Sequence, residues 1–296
     1  MNLIGFIKNK FPIPQYLIVT LLIFISMYVF AGFNDNKIVF SINSILGFLI
    51  VFLIFFRIRL FDEIKDFDDD KSFISQFITP KECKKIAILC IFLEGLFSVI
   101  IGFYVFLFYL IVFFYTIIMF YDFFLKNILL KNRVLYNYVH QSFTIMLGLF
   151  VFVIYNKSLA EINTLYVLFL IFAYFIMGLV EITRKLRSKD HPFYYRSYVY
   201  LLKKNHFLIY SISTLFFIMF LSIVIHFLVE SNLIFYFVHG LLFIYVSLIT
   251  IGYIKKYKNI SRSLLQVSYF CYMAVSFLLL IISIVLTKTI EFNLFF

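Results

Sequence analysis

Six of the fifteen acidic residues in this 296-residue chain fall within nine positions: Asp62, Glu63, Asp66, Asp68, Asp69 and Asp70, in the stretch RIRLFDEIKDFDDDK at 57–71. Asp62, Asp66 and Asp70 stand at i, i+4 and i+8, so on a helix they share one face. Like charges at that spacing repel and weaken the helix unless a cation lies among them. Mg2+ is the natural candidate, because it takes a few carboxylates, keeps some waters and accepts phosphate oxygens for the remainder. Such a site suits departure of a diphosphate, whose developing negative charge the metal neutralises. The other reading is a solvated acidic run beside a membrane, which charge-based topology rules permit because they barely register acids.

The elements that must position this row are membrane helices. Hydrophobic residues make up 64% of the chain and charged ones only 14%, where a soluble domain is nearer half apolar and a quarter charged. Apolar runs lie near 15–33, 40–56, 86–101, 103–120, 138–155, 164–180, 207–228, 233–252 and 264–287. Each is about long enough to span a bilayer as a helix, the form in which backbone groups in lipid pair within their own segment. The third and fourth runs are too long together for one span and are divided at Gly102. Nine helices result, and the acid row follows the second.

Charge supports this count. Of 26 Lys and Arg, 23 fall in segments on the side of the N-terminus, leaving Lys37, Lys157 and Lys288 opposite. That pattern predicts a cytoplasmic N-terminus and an external C-terminus. The expectation is a multi-pass integral protein of a bacterial inner (cell) membrane, with one transmembrane domain over 1–296. The first run is too long for a signal peptide and lacks a small-residue cleavage site, so it is expected to remain as a helix. A net charge of +11 would suggest nucleic acid in a soluble protein. Here the bases lie between apolar runs, so topology and anionic lipid account for them and nucleic acid is not expected. Cys83, Cys90 and Cys271 form no paired framework and no CxxC spacing. The two large polar loops follow the second and sixth helices, a spacing that hints at a duplicated four-helix unit.

The acid row resembles a motif of the UbiA prenyltransferase superfamily, N-D-x-x-D-x-x-x-D after the second transmembrane helix. Here it reads Asp62-Glu63-Ile64-Lys65-Asp66-Phe67-Asp68-Asp69-Asp70. The last two aspartates match, Glu63 keeps the charge of the first, and Asp62 replaces the asparagine. Some members read very like RLFDEIKDF at this point. The nine helices and the cytoplasmic side also agree, and the resemblance covers nearly the whole chain. It implies an all-α membrane bundle of nine helices around a central cavity. It also implies Mg2+-dependent transfer of a prenyl group from a polyprenyl diphosphate to an acceptor at the cytoplasmic side. Asp62, Asp66 and Asp70 would be catalytic and would hold the metal together with Glu63.

The family often carries a second motif, D-x-x-x-D, after helix 6. This chain has EITRKLRSKDHPFYYRSYVYLLKKNH at 181–206. Glu181 stands for the first acid, and Lys185 sits where the second would be. A related branch has E-x-x-R-K followed by an acidic stretch. Glu181, Arg184 and Lys185 keep its start, but Tyr194, Tyr195 and Arg196 fall where an aspartate is expected. The resemblance then implies a metal at the first motif, with Arg184, Lys185 and Arg187 holding the diphosphate directly. A planar guanidinium can bind two phosphate oxygens at once. The alternative for these bases is orientation signalling, which suffices for Lys189, Lys203 and Lys204. The stretch 121–141 also resembles that branch: Asp122 takes the place of an acid, Lys126 approaches phosphate, and His140 lies inside helix 5. A functional role and a helix–helix hydrogen bond are equal readings of His140. Glu94 is an intramembrane acid without an evident partner, and His226 and His239 lie towards the outer side with no ligand role.

No P-loop, GxSxG, HExxH or dinucleotide fingerprint occurs, nor the D-G-x-x-A-R signature of CDP-alcohol transferases. Two rivals to prenyl transfer stand: a terpene cyclase of the same superfamily, which needs no acceptor, and a catalytically inactive descendant that binds lipid or a partner. The altered second motif leaves room for both.

Overall fold

A computed structural model describes residues 3–35, 37–70, 79–129, 131–184, 186, 204–255 and 261–293. The chain runs α1 (Leu3–Lys10), α2 (Ile13–Ala31), β1 (Lys37–Ser41), α3 (Ile42–Asp70), α4 (Pro80–Ile101), α5 (Phe103–Phe120), the turn Asp122–Phe124, α6 (Lys126–Leu129), α7 (Arg133–Gln141), α8 (Phe143–Asn156), α9 (Thr164–Arg184), α10 (Lys204–Leu228), α11 (Leu233–Ile254), α12 (Arg262–Val285) and β2 (Thr289–Asn293).

Eight helices among the described residues are long and apolar enough to cross a bilayer, with α7 and α8 forming one of them. The remaining expected span is α4. It has 22 residues, but every 18-residue stretch of it contains Lys84, Lys85 and Glu94. Local signals fix its ends. Thr79 and Glu82 form a reciprocal capping box, with Pro80 in the first turn. The Thr79 N–H and hydroxyl on the Glu82 carboxylate hold its pKa below the usual range. Gly102 ends the helix with φ 150° and ψ 160°, a conformation essentially confined to glycine. The split between the third and fourth apolar runs falls at Gly102, as the sequence predicts.

The chain divides into two compact units, one of residues 1–124, 147–161 and 289–296, the other of 125–146 and 162–288. In the first unit, α3 packs against α2, α4 and α5. The short α1, which hydropathy did not reveal, and the residue after it lay Phe6 and Phe11 in a cluster with Leu60, Cys83 and Ala87, flanked by Phe52 and Phe56. Two strands add to the helical expectation. β1 and β2 pair in parallel, Lys37 opposite Thr289 through Ser41 opposite Asn293, and Lys37 bridges to Glu291 at 2.9 Å. Near β1, Asn156 Nδ2 donates to the Ala31 carbonyl at 3.2 Å and Lys157 Nζ to the Ile101 carbonyl at 3.4 Å. The ends of α2, α4 and α8 therefore meet.

In the second unit, α9 packs against α7, α10 and α12, while α11 packs against α10 and α12. A side chain at Gly178 would meet the Tyr138 ring at 2.9 Å. Its absence lets α7 approach α9 closely enough for Asn137 Nδ2 to donate to the Gly178 carbonyl at 3.0 Å.

Candidate functional site

The acid row is the end of α3, and the helix continues through Asp70. Asp62, Asp66 and Asp70 thus lie on one helical face, as their spacing requires. Asp62 and Glu63 both pair with Arg59 from one turn back: Nη1 lies 3.4 Å from Asp62 Oδ2 and Nη2 2.6 Å from Glu63 Oε1. The base thereby offsets part of the repulsion within the row. Lys65, on the same turn, reaches across to the buried carboxylate of Asp122. The side chains of Asp66, Asp68, Asp69 and Asp70 lie outside the described residues.

Asp122 opens an unusual turn. Asp122, Phe123 and Phe124 have φ of 52°, 55° and 57°, three consecutive non-glycine residues in the left-handed region. That conformation costs about 1–2 kcal/mol per residue. The ion pair to Lys65, with the Phe123 ring against Tyr115, holds it in place. Asp122 thus links the end of α5 to the acid-bearing tip. The side chain of Lys126, the first residue of α6, lies outside the described residues.

The α9 tip carries the second sequence-predicted group. Glu181 and Arg184 form a two-pronged pair, Nε to Oε2 at 2.7 Å and Nη2 to Oε1 at 2.8 Å. Gln266 of α12 donates to the carbonyls of Thr183 at 2.9 Å and Arg184 at 3.1 Å, satisfying acceptors that a helix end leaves open. Arg262 Nη1 reaches the Leu186 carbonyl at 3.4 Å. Lys185 and Arg187 lie outside the described residues. Among the described residues, no three His, Cys, Asp or Glu side chains gather as a metal site. The donors on the α3 tip are carboxylate oxygens, the type a hard divalent cation takes.

Sequence reasoning missed the main polar feature of the interior. Arg57 belongs to no loop. It lies within α3, fully buried, with Nε 3.0 and 3.1 Å from the two Glu94 oxygens and Nη1 2.7 Å from Thr116 Oγ1. The rings of Phe61 and Phe113 lie 5.5 and 5.6 Å from its guanidinium carbon. This corrects its count among the loop bases and supplies the partner of Glu94. The available signal was Glu94 itself, since an acid at membrane depth demands a base at similar depth. His140 Nδ1 lies 2.9 Å from the Tyr136 carbonyl, within its own helix. His226 and His239 face one another, Nε2 to Nδ1 at 3.1 Å, and Ser231 Oγ lies 3.0 Å from His226 Nδ1.

No protein-family model matches this sequence, and no curated protein matches it. Solved structures do. One is of a digeranylgeranylglyceryl phosphate synthase in membranes, at 16% identity and TM-score 0.63, covering 92% of this chain and 95% of that one. Another is of a UbiA homolog from Archaeoglobus fulgidus bound to Cd2+, at 15% identity and TM-score 0.51, covering 91% and 99%. The likeness is one of fold: the chain shares the helical architecture of these two structures, in line with the all-α membrane bundle expected from the sequence.

Proposed function

We propose that this chain, built on the UbiA fold, is an intramembrane prenyltransferase that moves a prenyl group from a polyprenyl diphosphate to an acceptor. The observation that carries the reading is the unbroken helix through Asp70, which keeps Asp62, Asp66 and Asp70 on one face within this fold. Asp62, Glu63, Asp66 and Asp70 would hold Mg2+, and binding of Cd2+ by one structural relative supports a divalent ion. Bound there, the ion would neutralise charge on the departing diphosphate. Arg184, Lys185, Arg187 and Lys126 bind diphosphate oxygens, and Glu181 orients Arg184. Aromatic faces, abundant in a chain with 44 Phe and 22 Tyr, would shield the allylic cation.

On this reading the chemistry takes place at the cytoplasmic face, the N-terminus is cytoplasmic and the C-terminus external, in a bacterial inner membrane, with 1–296 as one transmembrane domain. The meeting of the α2, α4 and α8 ends supports counting α4 as a ninth crossing. An even number of spans must separate Ala31 from Asn156, and only α4 makes the number even.

The test is release of diphosphate from labelled allylic diphosphates by purified protein with Mg2+. Release is expected from the wild type and is abolished by Asp66→Asn; unchanged release in the variant removes Asp66 from the mechanism. The Glu181–Arg184 pair and the basic residue at 185 favour a second reading, an inactive descendant. It predicts diphosphate binding without turnover. Product formed without any acceptor would instead indicate a cyclase.

A further inference from the structure

At the other end of α3, within the first unit, lies a cavity of about 300 Å3 bordered by Tyr28, Asp35, Ser41, Asn43, Tyr155 and Lys157. Asn43 lies in the first turn of the helix and Asp62 follows 19 residues later, so at 1.5 Å per residue the cavity stands about 29 Å from the acid row. It is no part of the chemistry proposed there.

The cavity wall carries opposite charges that do not neutralise each other. The Asp35 carboxylate accepts the Tyr155 hydroxyl at 2.7 Å. Lys157 Nζ, half-buried, donates to the Ile101 carbonyl at 3.4 Å. Each charge thus has a neutral partner, and no ion pair joins the two among the described residues. Burial pulls the Lys157 pKa below the ordinary lysine value. An anion beside it would favour the charged form. Asp35, exposed at the rim, offers carboxylate oxygens to a cation that can donate N–H bonds.

We propose that this cavity binds a phosphoethanolamine unit, with its phosphate on Lys157 and its primary ammonium on Asp35. The volume, at the lower end of small-ligand pockets, suits a headgroup. The Tyr28 and Tyr155 rings pack edge to face with centroids 4.9 Å apart, so they close on each other rather than forming a cage for a quaternary ammonium. Recognition therefore rests on hydrogen bonds from the amine, which choline lacks. Ile45 and Leu49, the next exposed residues along α3, leave an apolar path for acyl chains.

The test uses the full chain, delipidated in detergent, offered equal amounts of phosphatidylethanolamine, phosphatidylcholine and phosphatidylglycerol and examined by native mass spectrometry. Phosphatidylethanolamine is expected to be retained preferentially. Asp35→Asn and Lys157→Gln should each lower that retention about tenfold, the effect of one charge-assisted hydrogen bond. Displacement of the lipid by free phosphoethanolamine at millimolar concentration identifies a soluble ligand of the same chemistry; lipid retention that resists it identifies the lipid. Equal retention of the three lipids, or retention unchanged in Asp35→Asn, overturns the proposal. Because Asp35 is exposed, that variant decides the matter even if Lys157→Gln does not fold.

Discussion

Buried charge sets the energetics at the residue scale. Arg57 and Glu94 are removed from lipid and water alike, and removing one partner strands the other. Glu94→Gln is expected to cost about 3–5 kcal/mol, read as a fall in thermal stability in detergent. The double variant Arg57→Met/Glu94→Leu should recover most of it, because a buried pair and an apolar pair of similar volume are close in free energy. One guanidinium nitrogen, Nη2, has no hydrogen-bond partner among the described residues, which adds to the expected tolerance of the apolar replacement. At the acid row, Arg59 competes with any cation for Asp62 and Glu63. If the row binds Mg2+, Arg59→Gln should tighten that binding about two- to fivefold, measured by titration calorimetry, as expected for partly exposed ion pairs.

Among the elements, special backbone positions decide how helices end and how closely they approach. Gly102 permits α4 to stop and α5 to begin without an intervening loop. Nothing lies within 4 Å of where its side chain would be, so Gly102→Ala tests backbone strain alone. It should cost about 1–3 kcal/mol by thermal unfolding. The α9 tip depends instead on a borrowed donor. Gln266→Leu leaves the Thr183 and Arg184 carbonyls without that partner and should destabilise the tip by about 1–2 kcal/mol. Faster amide exchange confined to the last turn of α9 is the corresponding signature.

For the molecule as a whole, the strand pair and the joined helix ends constrain topology. In a cysteine-free background, Asp35→Cys and Ser158→Cys are expected to react with an impermeant thiol reagent from one membrane side, and Thr79→Cys from the other. Labelling of Ser158→Cys from the side opposite Asp35→Cys would remove α4 from the crossings. The two strands were illegible in sequence for a physical reason. KIVFS and TIEFN are five residues each, and their hydrogen-bond partners lie some 250 residues away, so no local pattern announces the pairing.

The sequence by itself determined the membrane class, the order of the apolar helices, the break at Gly102 and the shared face of Asp62, Asp66 and Asp70, because hydropathy, glycine conformation and helical periodicity are local properties of the chain. Only the tertiary structure decided which charges meet: Arg57 with Glu94, Lys65 with Asp122, and Asp35 and Lys157 around one cavity without neutralising each other. Electrostatic pairing depends on distance through space, and residues 37 or 57 positions apart become neighbours only when their helices pack.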